Sequence, residues 1–330
     1  MKPFLEAVKE RILVGDGAMG TMLQEGGLPE GGCPEEVVLS RPKLILSIHE
    51  RYIDAGADII ETNTFGANRY KLAEYRLGEE VERINCEAVR LAREAAKGRA
   101  YDAGSVGPLG KQLAPLGDLK FGEAVEAFRE QLSALASAGV DLIFLETISD
   151  LREAKAALVA AGDISGLPIV AHMTFGEGGR TLTGTPADVA AVVLSKMGAA
   201  AVGANCSTGP EEMLPVMESM AAVTPALLSV FPNAGLPELV GGKTVFRESP
   251  DDMASFVERF VGLGVNVIGG CCGTTPAHIS AMAQAVAKRK PVARSFQPRL
   301  RLCSRTRMVA LDPSETPLII GERINLSVRK

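Results

Sequence analysis

Eight short apolar runs recur along the 330 residues, with amphipathic stretches of helical period between them. They are "RILVGDG" (11–17), "ADIIETNTF" (57–65), "AYDAGSVGP" (100–108), "VDLIFLET" (140–147), "PIVAHMTF" (168–175), "AAVGANC" (200–206), "ALLSVFPN" (226–233) and "VNVIGGCC" (265–272). "EVERINCEAVRLAREAAK" and "EAVEAFREQLSALASAG" are typical of the intervening stretches. Three helix starts are signalled by an N-cap hydroxyl with proline in the first turn: Thr185 before Pro186 and Asp188, Ser249 before Pro250 and Asp252, and Thr275 before Pro276. The third run, short and glycine-rich, is expected to be the weakest strand. Eight strands in a row, alternating with helices, predict an α/β fold, a parallel (β/α)8 TIM barrel. A doubly wound open sheet is the alternative, but nothing in it calls for eight units in one row.

Composition bounds the partners. At 46% apolar and 23% charged, the chain is globular and long enough to bury a large core. A net charge of −5 with Lys and Arg dispersed leaves no basic stripe for nucleic acid. No apolar run reaches the roughly 18 to 20 residues of a membrane span. The start "MKPFLEAVKERILVGDG" carries early acidic residues and no apolar signal core, so a cytoplasmic location is expected. In that reducing setting the six cysteines read as thiols or metal ligands rather than disulfides.

Sites in such a barrel lie where strands end and βα loops begin. Those ends carry Asp16, Glu61 with Asn63, Gly107 with Pro108, Glu146 with Thr147, Thr174, Asn205 with Cys206, Asn233, and Cys271 with Cys272. Any one of them alone reads as a strand terminator or helix cap; together they place polar groups on one rim. Cys206, Cys271 and Cys272 end the sixth and eighth strands, within reach of one ion. Cys33, Cys86 and Cys303 show no such convergence and read as packing or exposed thiols. His49 and His278 are expected at the surface or in a cap. His172, inside the fifth strand, is the one histidine placed to reach the site, and is otherwise a hydrogen-bonded core residue.

Three thiolates suit Zn²⁺, and three protein ligands leave an open fourth position, as in catalytic zinc sites. Such a donor set over-neutralises the ion, so a fourth ligand bound as thiolate keeps its electron density. The metal still favours thiolate over thiol. The expected reaction is thiol activation for attack on an alkyl group.

"GDGAMGTMLQ", "ETNTFGAN", "GPLG", "FLET", "GANCSTGP", "PNAGLP" and "GGCCGTTPAHI" together resemble the homocysteine S-methyltransferase family, over about residues 10–290. More specifically, the chain resembles the N-terminal homocysteine module of cobalamin-dependent methionine synthases. The resemblance implies that Cys206, Cys271 and Cys272 bind Zn²⁺ and carry the chemistry, with the sulfur of L-homocysteine in the fourth place. It implies that Asn233 approaches the metal when substrate is absent. Glu146, Asp16 or both suit the substrate ammonium, backbone N–H groups around Asp16 and Gly17 suit its carboxylate, and Thr147 and Asn205 complete the substrate-binding set. The methyl group would come from methylcobalamin, leaving cob(I)alamin and methionine.

The expected organisation is a zinc-dependent homocysteine-binding barrel over 1–290, a basic, proline-containing linker over 291–316, and over 317–330 the start of a truncated folate (pterin)-binding domain. The last assignment rests on "LIIGERINLSVRK", which resembles the first strand and loop of the folate module in the same enzymes. Methyltetrahydrofolate and cobalamin would therefore be held by modules of a longer polypeptide. The alternatives are a relative using S-methylmethionine or betaine as donor, and a non-catalytic zinc-containing binding module.

Overall fold

The computed structural model describes residues 1–311, apart from 30, 164, 165, 177, 241 and 242. Eight parallel strands form one sheet: β1 (Leu13–Val14), β2 (Ile59–Glu61), β3 (Tyr101–Val106), β4 (Leu142–Ile148), β5 (Ile169–Met173), β6 (Ala201–Asn205), β7 (Leu227–Phe231) and β8 (Val265–Ile268). Each pairs with its sequence neighbour from β2 to β8, and β8 pairs with β1. The ring closes between the short β1 and β2 through a parallel bridge of Gly15 with Ile59. Asp58 reinforces that seam, accepting from Val14 N–H at 3.0 Å and donating its own N–H to Val14 O at 2.7 Å. This is the (β/α)8 barrel expected from the eight runs, not an open sheet.

One strand expectation is corrected. The third run forms a fully buried strand of six residues, whereas the first contributes only two. Gly104 is small enough to lie against Leu135 of the covering helix, and Ser105 turns its hydroxyl to Glu146 on the other face, so the run's low apolar content does not weaken the strand. The helix-start signals hold at Ser249 and Thr275, each with a capping box, but helix Ala187–Lys196 begins after Pro186 and Thr185 is buried before it.

Inside the ring, His172 packs edge-on against Phe144 and Phe231, which are tilted against each other, with centroids 5.1 to 5.3 Å apart. Phe231 lies directly beneath the strand ends: a Cβ on Gly15 or Gly269 would come within 2.2 or 2.5 Å of its ring. Those glycines let the aromatic floor rise to the rim. His172 is a core residue, but neither ring nitrogen has a hydrogen-bond partner, and burial drives its pKa down to about 3. It is a neutral aromatic filler, not the hydrogen-bonded histidine expected. His49 is likewise buried and unpartnered rather than at the surface, with its pKa lowered to about 4 by burial.

After the last barrel helix, Pro276–Val286, the segment read as a linker is tied down. Arg294 donates to the carbonyls of Ala221, Thr224 and Ala226, and Leu300–Cys303 pairs antiparallel with Met308–Leu311. The stretch expected to begin a further domain, 317–330, lies outside the described residues. Among the described residues no helix is long and apolar enough to cross a membrane.

Candidate metal centre and substrate pocket

The three rim cysteines meet because two strand ends are bent toward each other. β6 ends at Asn205, and both Cys206 and Ser207 adopt left-handed backbone, φ 60° and 67°. Non-glycine residues there cost on the order of 1 to 2 kcal/mol each. The turn swings Cys206 over β7, where its N–H donates to Phe231 O at 3.1 Å. The loop after β8 is held from both sides. Gly270 N–H donates to Asp16 O (3.0 Å), Cys271 N–H to Pro232 O (2.8 Å), and Ala234 N–H to Cys272 O (3.0 Å). Thr274 closes it, its hydroxyl donating to Cys271 O at 2.6 Å and accepting from Ala18 N–H at 3.2 Å.

The Sγ atoms of Cys206, Cys271 and Cys272 all lie within 4.8 Å of one another, and those of Cys206 and Cys272 are 3.8 Å apart. Two sulfurs about 2.3 Å from a tetrahedral Zn²⁺ stand roughly 3.8 Å from each other, so the spacing fits the ion. Thiol hydrogen bonds from Cys271 and Cys272 pull Cys206 down to about 3, while those two are themselves pushed up, Cys272 to about 12. Asn233 lies against Cys206, and its Oδ1 is buried without a partner, an orphaned acceptor beside a would-be cation.

Across the rim from the sulfurs is an acidic wall. β4 carries a bulge between Leu145 and Ile148, and Thr147 sits at φ 58° within it, which re-aims Glu146 and Thr147. Glu146 Oε1 accepts from Ser105 Oγ at 2.5 Å and Oε2 from Asn205 Nδ2 at 3.2 Å. Asn205 also accepts from Thr147 N–H (2.8 Å) and donates to Thr147 Oγ1 (2.9 Å), and its Nδ2 is 4.0 Å from Cys271 Sγ. One amide thus links the acidic wall to the thiol cluster. Asp16 Oδ2 accepts from Glu61 N–H at 2.9 Å, and the Glu61 carboxyl lies against that of Glu146. Burial raises all three; the charge of Glu146 adds to it at Asp16 and Glu61, whereas at Glu146 hydrogen bonds with Glu61 and Ser105 pull the other way and the charge of Cys206 adds to burial. Gly17 packs on Thr274 and Tyr52 beside Asp16, where a Cβ would come within 2.7 Å of Thr274 Oγ1.

The structure therefore brings together Asp16, Glu146, Thr147, Asn205, Asn233 and the three cysteines. Cys33, Cys86 and Cys303 stay outside the cluster, and His278 caps helix Pro276–Val286 by accepting from Thr275 N–H at 3.2 Å. Two neighbours were missed by the residue-by-residue reading. Glu61 was seen only as a strand end, although an acid there, like Asp16 and Glu146, lacks a basic residue nearby in sequence. Ser105 was hidden in the run taken as weakest.

A family model for homocysteine S-methyltransferase matches residues 13–286, from β1 to the last barrel helix. The chain belongs to the homocysteine S-methyltransferase family. Among its relatives, the methionine synthase of Mycobacterium tuberculosis is 34% identical over 99% of this chain, and that of Mycobacterium leprae 35% over 86%. The chain spans 29% and 25% of the lengths of those two proteins. The crystal structure of the homocysteine methyltransferase MmuM from Escherichia coli in its metallated form superposes with a TM-score of 0.73 at 25% identity, covering 85% of this chain and 98% of that one. The oxidized form gives 0.69 at 28%, covering 86% and 98%. The family's match thus takes in both walls of the rim, the thiols and the acids.

Proposed function

We propose that this chain transfers a methyl group to the thiol of L-homocysteine, giving L-methionine, with methylcobalamin as the donor. The observation that carries the reading is the pairing, on one barrel rim, of a three-thiol cluster with a buried acidic wall. An amino acid bearing a thiol offers one group to each. Cys206, Cys271 and Cys272 would hold Zn²⁺, which when bound stabilises the substrate sulfur as a thiolate near neutral pH. Glu146 and Asp16 take the substrate ammonium in charge-assisted hydrogen bonds. Asn205 holds Glu146 in place relative to the sulfurs, and the backbone around Gly17 faces the substrate carboxylate. Phe231 and its aromatic neighbours close the pocket from below and exclude water, so the sulfur attacks only from the open face. There the sulfur–carbon bond forms as the bond from methyl to donor breaks, and the donor keeps the electron pair.

Methylcobalamin is favoured as donor because the relatives matched along 99% and 86% of this chain are both methionine synthases several times its length. Modules of that longer polypeptide would carry the cobalamin and the methyltetrahydrofolate that remethylates it. The test is a zinc-dependent assay of the purified chain with L-homocysteine and, in parallel, methylcobalamin, S-methylmethionine and betaine. Methionine from methylcobalamin alone is expected. Turnover only with a sulfonium or ammonium donor would move the chain to the alternative branch of the family, and none with any donor would leave a binding module.

A further inference from the structure

Asp16, Glu61 and Glu146 reach the acidic wall from β1, β2 and β4, and no cation among the described residues offsets any of them. Two of the three are held by the protein. Asp16 receives the Glu61 N–H, and Glu146 receives Ser105 and Asn205. Glu61 is different: its Oε1 is buried, and no donor reaches it. A buried acceptor left unmade costs stability, and such groups persist where a ligand supplies the donor. A primary ammonium carries three N–H donors and no acceptor. Asp16 and Glu146 already accept protein donors, so a third carboxylate beside them gives each N–H an acceptor of its own.

Resting on the reading of this rim as a homocysteine site, we propose that Glu61 determines substrate specificity by completing, with Asp16 and Glu146, a three-carboxylate cradle for a primary α-ammonium. The pocket then selects amino-thiols with a free amine over thiols that lack one. In the empty site, burial and its acidic neighbours raise Glu61, which lies against Glu146. With the ammonium in place, the Glu61 carboxylate accepts the third N–H. The side chain touches the end of the substrate remote from the sulfur. Its removal therefore acts on binding of the amine and leaves the thiol cluster intact.

Calorimetric titration of the zinc-loaded chain with three thiols tests the idea: L-homocysteine, its desamino analogue 4-mercaptobutanoate, and N,N,N-trimethylhomocysteine, which keeps the charge but has no N–H. The wild-type protein is expected to prefer homocysteine over both analogues by about a hundredfold or more. In Glu61→Gln, homocysteine should weaken about ten- to a hundredfold, the scale of one lost charge-assisted hydrogen bond. The desamino analogue should be unaffected and zinc content unchanged. An unaltered preference for homocysteine in Glu61→Gln overturns the proposal. So does trimethylhomocysteine binding the wild-type protein as tightly as homocysteine, a measurement that needs no variant. Failure of the wild-type protein to bind homocysteine at all refutes the parent reading instead, and is distinguished by being independent of residue 61.

Discussion

Cys206 pays for its position with left-handed backbone, and its two partners pay with protons. In the metal-free cluster the sulfur of Cys206 is the thiolate, lowered first by the Cys271 thiol and then by that of Cys272, while Cys271 and Cys272 remain protonated at neutral pH. Binding of Zn²⁺ by all three must therefore displace two protons, so apparent affinity should rise about a hundredfold per pH unit near neutrality. Replacing any one of the cysteines by alanine should abolish tight binding. Competition titrations with a chelator across pH 6 to 8 would measure the slope; a flat profile, or full occupancy in Cys206→Ala, would contradict the assignment. These residues were legible in the sequence because adjacent cysteines at the end of an apolar run have no ordinary packing role. Glu61 was not, because what marks it is a missing partner, and partners from other strands appear only once the ring is closed.

The cysteine loop after β8 depends on the elements that hold it more than on its own sequence. Thr274 is fully buried, joins Cys271 O to Ala18 N–H, and precedes the N-cap of helix Pro276–Val286. Thr274→Val keeps the shape and removes both bonds. It is expected to cost about 1 to 3 kcal/mol of stability, because the half-buried Ala18 N–H and Cys271 O both lose the hydroxyl that joins them. Zinc affinity should fall about ten- to a hundredfold, the usual effect of losing a group that orients a metal ligand. Denaturant unfolding and metal competition on the same sample check both, and a stable variant with wild-type zinc affinity would show that the loop is held elsewhere. Element by element, the alternation of apolar runs and helical stretches was enough to place all eight strands. It misjudged β3 because strand length depends on neighbours: β3 is supported along its length by β2 and β4, whereas β1, only two residues long, is seamed by the Asp58 side chain. The hairpin of Leu300–Cys303 with Met308–Leu311 was missed because charged and proline-rich flanks dominate that segment's composition.

At the scale of the whole molecule, the interior holds an excess of acids that burial pushes upward. Glu153, buried and accepting from Leu109 N–H at 2.8 Å, is raised to about 7, as is Asp102, and the three acids of the rim are raised too. A carboxyl whose pKa is higher folded than unfolded binds more protons in the native state. Its favourable contribution is complete below the unfolded value and is lost as pH rises toward the folded one. For Glu153 that window runs from its ordinary 4.5 to about 7. Three groups pull the other way. His49 and His172, lowered to about 4 and about 3, make the fold more stable as pH rises toward their ordinary 6.5, and the Cys206 thiolate does so up to its ordinary 9.0. Above 6.5 the histidines are neutral in both states, and the metal-free protein sets Cys206 against the acids, so the effect of one acid is read as a difference between variant and wild type. Glu153→Gln, which keeps an oxygen for Leu109 N–H, should lie near wild type at pH 5 and exceed it at pH 8 by on the order of 3 kcal/mol. Chemical denaturation at pH 5, 6.5 and 8 separates the two curves. A variant that runs parallel to wild type across that range would mean that Glu153 ionises in the folded protein as readily as in the unfolded chain, and that burial at this position carries no cost.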